Sequence, residues 1–178
     1  MPDQTGSWLL GAGVAIAALF ALLLTADTPT PIGPGTPAPA FELPLVGGGS
    51  SLSAEQLRGK VVLLNFWRTD CPPCEHEMPA MERLYRALAG SDFELVAVSV
   101  GEDEAVVNAF VDRLGLSFPV LIDRSKKVAI AYQTFQFPES LLVGRDGVVL
   151  ERYVGPKDWD ADAYLNRIQR LLADEAAG

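Results

Sequence analysis

The sequence is poor in the residues that hold metal ions and nucleic acids. Its 178 residues include only two cysteines, Cys71 and Cys74, and one histidine, His76. A structural zinc site needs about four such ligands, and a copper site would need a histidine distant from the cysteines. The 14 basic residues are outnumbered by 23 acidic ones, for a net charge of −9, and they form no basic stripe. The composition therefore argues against a metal centre and against nucleic-acid binding, which needs clustered cations.

Basic residues are also missing from the N-terminal part, where the first one is Arg58. Residues 8–24 form an apolar run without a charge, close to the ~17–25 residues that span a bilayer. We predict a tail over residues 1–7 and a transmembrane anchor over residues 8–25. The alternative is a cleaved signal peptide, but the tail lacks its positive charge and the run exceeds the usual ~7–15 apolar residues.

The segment after this run is rich in proline and glycine. Residues 26–40 contain five prolines and two glycines, a composition that favours an extended, semi-rigid spacer. We predict a linker over residues 26–37 and a globular domain over residues 38–178.

The globular part alternates strand and helix patterns in the order β-α-β-α-β-α-β-β-α. Long strands joined by helices indicate parallel pairing, and the last two strands flank an Asp-Gly turn typical of an antiparallel hairpin. The sequence thus predicts an α/β fold with a mixed sheet covered by helices on both faces. The expected strands begin near residues 60, 93, 118, 140 and 148, and the expected helices cover residues 78–88, 104–114, 126–132 and 160–173.

The two cysteines lie where a buried strand pattern gives way to a helix. If Cys71 caps that helix, Pro72 and Pro73 occupy its first two positions, where proline is tolerated. The N–H of Cys74 then points at the Cys71 sulfur, and N-terminal N–H groups and the helix dipole favour a thiolate. We expect an exposed, nucleophilic Cys71 and a more buried Cys74 that resolves the mixed disulfide. The simpler alternative is a purely structural disulfide, although so short a loop constrains little chain.

Several further motifs surround the two cysteines. They are Asn65-Phe66-Trp67, Cys71-Pro72-Pro73-Cys74, Glu77-Met78-Pro79, Tyr132 and Pro138-Glu139-Ser140-Leu141-Leu142-Val143. In these motifs the chain resembles the thioredoxin superfamily and, more narrowly, the membrane-anchored thiol–disulfide oxidoreductases of the TlpA/ResA type. The similarity extends over about residues 38–174 and implies a thioredoxin-like fold behind an N-terminal transmembrane helix.

The resemblance also assigns roles to single residues. It implies that Pro138 follows a cis peptide bond opposite the dithiol and that Phe137, before it, presents its backbone to the substrate. The alternative is an ordinary trans proline at a strand entry. Glu77 falls one helical turn after Cys74, where the family has an acid that handles the cysteine proton, or it is a solvated carboxylate. Trp67 is expected either as a wall of the substrate groove or as a core aromatic.

Pro72, Pro73 and Phe137 complete the expected groove, and the sequence departs from the family around it. Asp70 and Glu75 replace an aromatic residue and a frequent arginine, so we expect negative charge beside the dithiol, which raises the pKa of a thiol. Gln136 and Phe137 stand where the family often has glycine and a small apolar residue, which leaves the partner open. We expect His76 on an exposed helix surface.

The resemblance implies a reductase of protein disulfides outside the cytoplasm, for example in cytochrome c or copper-site maturation. It implies re-reduction by a membrane electron donor of the DsbD/CcdA type, and no cofactor or metal besides the redox-active Cys71–Cys74 disulfide. Because disulfides persist outside the cytoplasm, we expect a single-pass protein of the bacterial inner membrane with its domain on the periplasmic side. The alternatives are a disulfide oxidase or isomerase, a thiol peroxidase, or a non-catalytic binding module.

Overall fold

The computed structural model of the chain describes residues 31–174. The predicted tail, the anchor over residues 8–25 and the linker up to residue 30 lie outside the described residues. Within the described part, no helix combines the length and apolarity needed to cross a membrane. The anchor therefore stays a prediction.

A five-stranded mixed sheet organises the fold, with strand order β5-β4-β3-β6-β7. The central strand β3 (Val61–Trp67) pairs in parallel with β4 (Phe93–Val100) and antiparallel with β6 (Glu139–Val143). At the two edges, β5 (Val120–Asp123) runs parallel to β4, and β7 (Val149–Val154) runs antiparallel to β6. The predicted combination of parallel crossovers and a closing hairpin is confirmed.

Helices and a small hairpin cover the two faces of this sheet. One face packs against α1, α2 and α4, and the other against α3, a 3₁₀ turn and the β1–β2 hairpin. After that hairpin, the element order is the predicted β-α-β-α-β-α-β-β-α. In the described part these elements are β1 (Glu42–Pro44), β2 (Ser51–Ser53), the 3₁₀ turn (Glu55–Leu57), α1 (Pro72–Ala87), α2 (Glu104–Leu114), α3 (Lys127–Ala131) and α4 (Asp162–Asp174).

The alternation of side chains along β3 decides what lies beneath the dithiol helix. Successive residues of a strand point to opposite faces, and Leu63 and Trp67 belong to the core on the α1 side. Asn65 lies between them in the alternation and therefore also faces α1. The strand register pairs Asn65 with Ser140 and Phe66 with Glu139. The start of β6, just after Pro138, thus lies beside the end of β3, near Cys71.

The C-terminal residues of the predicted linker lie against the edge strand β7. The N–H of Gly35 donates to the carbonyl of Val149 at 2.8 Å, and the N–H of Val149 donates to the carbonyl of Thr36 at 2.9 Å. Ile32, at the start of this segment, is half-buried and packs on the apolar core beneath. The packed part of the described chain therefore begins at Ile32.

Candidate active site

The dithiol caps α1 in the predicted geometry. Cys71 has an extended backbone, with φ −112° and ψ 97°, and its Sγ accepts a hydrogen bond from the N–H of Cys74 at 3.3 Å. Pro72 and Pro73 occupy the first turn, and both are exposed. Cys71 and Cys74 form a disulfide with their Cα atoms 5.3 Å apart. The strand-to-helix junction thus presents a disulfide at a helix N-terminus, where a thiolate is favoured after reduction.

The two sulfur-bearing residues differ in their access to solvent. Cys74 is 0% exposed and belongs to the apolar core, whereas Cys71 is half-buried at the surface of that core. A protein substrate can therefore reach Cys71 and not Cys74. This difference is the one that the predicted division between nucleophile and resolving thiol requires.

Glu77 is buried directly behind the dithiol, with 1% of its surface exposed. Its Oε1 accepts from Asn65 Nδ2 at 2.9 Å, and its Oε2 accepts from Trp159 Nε1 at 3.0 Å and from the N–H of Lys157 at 3.1 Å. The alternative of a solvated carboxylate on the helix surface is therefore wrong. All three donors are uncharged groups, so they orient the carboxyl without neutralising it.

Burial raises the pKa of Glu77 to about 7 from its usual value of 4.5. The cause is loss of hydration, which disfavours the charged carboxylate. The hydrogen bonds from Lys157, Trp159 and Asn65 act in the opposite direction, and the attraction of the Lys157 ammonium is the weakest contribution. The Lys157 ammonium donates instead to backbone carbonyls of residues 154–156, so it attracts the Glu77 carboxylate only weakly. The Glu77 carboxyl can therefore exchange its proton near neutral pH.

The Phe137–Pro138 peptide bond is cis, as the resemblance implies, so the alternative of a trans proline is wrong. Pro138 is buried, and its carbonyl accepts from the N–H of Gly155 at 2.9 Å. Phe137 is half-buried and packs on the core that contains Cys74. Two residues earlier, Phe135 is 72% exposed. The loop before β6 therefore exposes apolar surface at Phe135, and its Phe137 packs on the same core cluster as Cys71.

Trp67 does not lie where a groove wall would be. It is 0% exposed and packs on Phe110 of α2, with the two ring centroids 4.7 Å apart. Trp67 occupies the apolar face of β3 beneath the helices, so the assignment to the groove is corrected in favour of a core aromatic. Of the other residues expected in the groove, Pro72 and Pro73 are exposed and Phe137 is half-exposed.

Both acidic departures from the family pattern are paired with arginines. Asp70 binds Arg68 through both carboxylate oxygens, at 2.8 and 2.9 Å, and Glu75 binds Arg113 at 2.6 Å. These hydrogen bonds lower the pKa of Asp70 and of Glu75. The two expected carboxylates are present, but each has its own cation, so the negative charge expected beside the dithiol is largely compensated. His76 is exposed on α1, as expected.

Sequence reasoning missed Glu102, which supports the loop leading to Cys71. Its carboxylate accepts from the N–H of Thr69 at 3.0 Å, from the Thr69 hydroxyl at 2.5 Å and from the Ser99 hydroxyl at 2.7 Å. Glu102 follows the end of β4, and the carboxyl ends of neighbouring parallel strands meet at one edge of a sheet. The position of Glu102 just after a parallel strand was therefore the signal from which it could have been found. Trp159 lies 82 residues from Glu77 in sequence, and no sequence pattern indicated that the two residues meet.

Comparison with known proteins agrees with this geometry. The profile of the AhpC/TSA family matches residues 34–152. The chain is 44% identical over 107 residues to "Thiol-disulfide oxidoreductase ResA" of Halalkalibacterium halodurans, covering 60% of this chain and 61% of that protein. It is 38% identical over 121 residues to the ResA protein of Bacillus thuringiensis (strain Al Hakam), covering 67% of this chain and 70% of that protein.

Among solved structures, the fold is similar to a putative thiol:disulfide interchange protein DsbE from Chlorobium tepidum. The two share 29% identity with a TM-score of 0.72, over 78% of this chain and 97% of that one. Family profile, sequence relatives and solved structure therefore agree on a thiol–disulfide oxidoreductase with a thioredoxin-like fold, and in this chain the fold carries the Cys71–Cys74 disulfide. The chain belongs to the AhpC/TSA family and, within it, to the ResA-like thiol–disulfide oxidoreductases.

Proposed function

We propose that this protein is a membrane-anchored reductase of protein disulfides on the extracytoplasmic side of the bacterial inner membrane. The observation that carries the proposal is the pairing of a buried thiol with a buried acid. Cys74 is inaccessible to solvent, and Glu77, one helical turn further along α1, is a carboxyl whose pKa lies at about 7. Such a pair suits the second step of a disulfide reduction.

The reduction would run in two exchanges at the dithiol. First, the Cys71 thiolate attacks one sulfur of the substrate disulfide, and the other substrate sulfur leaves as a thiolate. Next, Cys74 gives its proton to Glu77 and attacks the Cys71 sulfur, which releases the second substrate sulfur as a thiolate. Both substrate thiolates take up protons, so two protein thiols and one substrate disulfide become one protein disulfide and two substrate thiols.

Glu77 is suited to be the proton acceptor of the second exchange. A free thiol has a pKa of about 8.5, and an efficient general base has a pKa near the working pH. An ordinary surface glutamate would be too weak a base, and burial corrects this by raising its pKa to about 7. When the protein disulfide is reduced again, the same carboxyl returns the proton to Cys74.

The electrostatics favour the reductive direction over the oxidative one. An oxidant of the DsbA type draws its power from a stabilised thiolate in its reduced form. Asp70 and Glu75 contribute little to the relative stability of the reduced and oxidised forms, since an arginine pairs with each of them. Ionised Glu77, however, disfavours a neighbouring Cys74 thiolate. Glu77 therefore opposes part of the stabilisation that the helix N-terminus gives to the reduced form, which suits a donor of electrons.

The partners are proposed from the family and from the predicted anchor. Relatives carry the names thiol–disulfide oxidoreductase ResA and thiol:disulfide interchange protein DsbE. For this chain we propose disulfide-bearing substrates such as apocytochrome c or a copper-site protein. Electrons would come from a membrane donor of the DsbD/CcdA type, with no cofactor besides the Cys71–Cys74 pair.

A trapping experiment tests the proposal. The full-length Cys74→Ser variant, expressed in a bacterium that matures cytochrome c, should accumulate a mixed disulfide between Cys71 and its substrate, visible on a non-reducing gel and lost after reduction. The Cys71→Ser variant is the matched control and should trap nothing. If Cys71→Ser retains partner binding and full function while Cys74→Ser traps nothing, the protein is a binding module whose disulfide is structural.

A further inference from the structure

The side chain of Arg152, on β7, donates hydrogen bonds to three separate chain segments beside the cis-proline. Its Nε donates to Glu139 Oε1 at 2.7 Å, and its Nη1 donates to the carbonyls of Ile32 at 2.7 Å and Tyr132 at 2.9 Å. Its Nη2 donates to the carbonyl of Gln133 at 2.9 Å. We call this cluster of Arg152, Glu139, Ile32, Tyr132 and Gln133 the arginine clasp. One guanidinium therefore ties the residue after Pro138 to the turn that begins the loop before it.

The clasp depends on the shape of the guanidinium as well as on its charge. The Glu139 side chain is 5% exposed and that of Arg152 is 18% exposed, so the ion pair is largely removed from water. Arginine presents a planar fork of five donors, whereas lysine presents a single compact ammonium. Four acceptors in three directions can be reached only by the fork.

The clasp fixes the loop of residues 133–138 at both ends. At the first end, Gln133 has a φ of +54°, a left-handed backbone that non-glycine residues seldom adopt. Arg152 holds its carbonyl, and its side-chain Oε1 accepts from the N–H of Ile32 at 3.2 Å. At the second end, Arg152 holds Glu139, which directly follows Pro138. Between the two ends, Phe135 is 72% exposed.

The dithiol chemistry uses none of these contacts. Cys71 and Cys74 are held by the N-terminal turn of α1, and Glu77 by Asn65, Trp159 and the Lys157 backbone. A small disulfide needs only the accessible sulfur of Cys71. A polypeptide substrate, in contrast, also brings neighbouring residues that must be accommodated beside the sulfur, and Phe137 of the loop packs on the same core cluster as Cys71. The clasp is therefore placed to affect one class of substrate and not the other.

We propose that Arg152 is a positioning residue for polypeptide recognition, because it holds loop 133–138 so that Phe135 and the Phe137 backbone meet the chain that carries the target disulfide. The proposal rests on the proposed disulfide exchange and adds to it the group that orders the recognition loop. Arg152 itself takes no part in the exchange of sulfur atoms.

The test compares two charge-neutral double variants of the full-length chain. Arg152→Gln with Glu139→Gln removes the clasp without leaving a buried charge unpaired. Arg167→Gln with Glu151→Gln removes a second, more exposed ion pair, 2.5 Å long, between α4 and the same strand, and residues 151 and 152 point to opposite faces of β7. Each reduced protein is assayed with 5,5′-dithiobis(2-nitrobenzoate) and with a synthetic peptide that contains an internal disulfide.

The clasp variant should lose at least about tenfold in kcat/KM for the peptide through a higher KM, the scale expected when a binding group is displaced. Its rate with the small disulfide should stay within about twofold of the parent, since Cys71 is unchanged. The control variant should match the parent in both assays.

Two results would overturn the role of Arg152: an unchanged KM for the peptide, or an equal loss with both disulfides, which marks a general structural defect. Failure of the proposed function is a different result. In that case the reduced parent chain leaves the peptide disulfide intact. The proposed function and the role of Arg152 in recognition would then both be wrong.

Discussion

Two buried carboxyls lie near the same end of the sheet and are held in opposite ways. Glu77, 1% exposed, accepts hydrogen bonds from three uncharged donors, whereas Glu139, 4% exposed, is paired with the Arg152 guanidinium at 2.7 Å. Without a guanidinium partner, Glu77 has a pKa of about 7 and can take and return a proton at neutral pH. With one, Glu139 becomes a fixed point to which a loop is tied.

The difference teaches that burial alone does not decide what a buried acid does. Removal from water disfavours the ionised carboxyl, and this loss of hydration raises the pKa of Glu77 to about 7. Neutral donors orient the carboxyl and leave its proton exchangeable. A guanidinium holds the carboxylate in an ion pair whose loss is costly. The first arrangement suits proton transfer, and the second suits holding a loop in a fixed position.

Breaking the Glu139 ion pair should give the largest effect. Arg152→Leu leaves Glu139 buried without its cation and should lower the free energy of unfolding at pH 7 by about 3–5 kcal/mol, as measured by urea denaturation. Arg152→Leu combined with Glu139→Leu should recover part of that loss, because no charge is left unpaired although three backbone carbonyls still lose their donor. A loss below about 1 kcal/mol in the single variant would show that the pair is structurally unimportant.

Removing the Glu77 carboxyl should change how stability depends on pH. The folded-state pKa of about 7 exceeds the ordinary value of 4.5, so the folded protein binds this proton more tightly than the unfolded chain. That contribution is complete below pH 4.5 and is lost as the pH rises through 7. Relative to Glu77→Gln, the parent should lose about 3 kcal/mol of unfolding free energy between pH 4 and pH 8. Parallel stability curves for the two proteins would contradict the assignment.

The same variant should slow the second exchange of the reaction. Without a base for the Cys74 proton, resolution of the mixed disulfide should fall by about a hundredfold at pH 7, and the inflection of its rate near pH 7 should disappear. Rapid-quench measurement of the mixed disulfide with a model peptide follows this step directly. A rate that keeps the inflection in Glu77→Gln would assign the proton to another group.

Removing one of the neutral hydrogen-bond donors to Glu77 should have a smaller effect on stability than replacing Glu77 itself. Trp159→Phe keeps the aromatic packing and removes the N–H that donates to Glu77 at 3.0 Å. Because that bond favours the ionised form, its loss should raise the pKa of Glu77 further and cost about 1–2 kcal/mol at pH 8, with less at pH 5. Urea denaturation at the two pH values measures the difference. An equal cost at both would indicate packing alone.

The exposed acids should matter least. Glu75→Gln breaks the ion pair with Arg113, whose side chain is 53% exposed, and surface pairs of this kind contribute little. The rate of Cys71 with a small disulfide should change by less than about twofold. A change of tenfold would show that the charge of Glu75 reaches the dithiol despite its arginine.

The sequence predicted the elements that depend on local pattern and on recognised motifs. The apolar run of β3, the prolines that start α1 and the Asp-Gly turn after β6 carry their own signals, so the fold and the cysteine geometry followed from them. The cis bond at Pro138 came only from the resemblance, because the residue type alone seldom implies it.

The remainder could not be predicted because it depends on contacts between distant residues. The sequence shows Glu75 as an extra negative charge, but Arg113 lies 38 residues away and cancels it only in the folded chain. Arg152 likewise meets the Ile32 carbonyl across 120 residues, and no periodicity encodes that encounter. For Trp67, the strand pattern gave burial, but the position of Phe110 was needed to choose the core over the groove.

The most direct test is the reduction potential of the Cys71–Cys74 pair in the full chain at pH 7, measured by equilibration with thiol–disulfide buffers and quantified from the alkylated reduced fraction. A reductase with an unstabilised Cys74 thiolate should have a potential near about −270 mV, in the range of thioredoxin. A potential near about −120 mV, in the range of strong oxidants, would contradict the account.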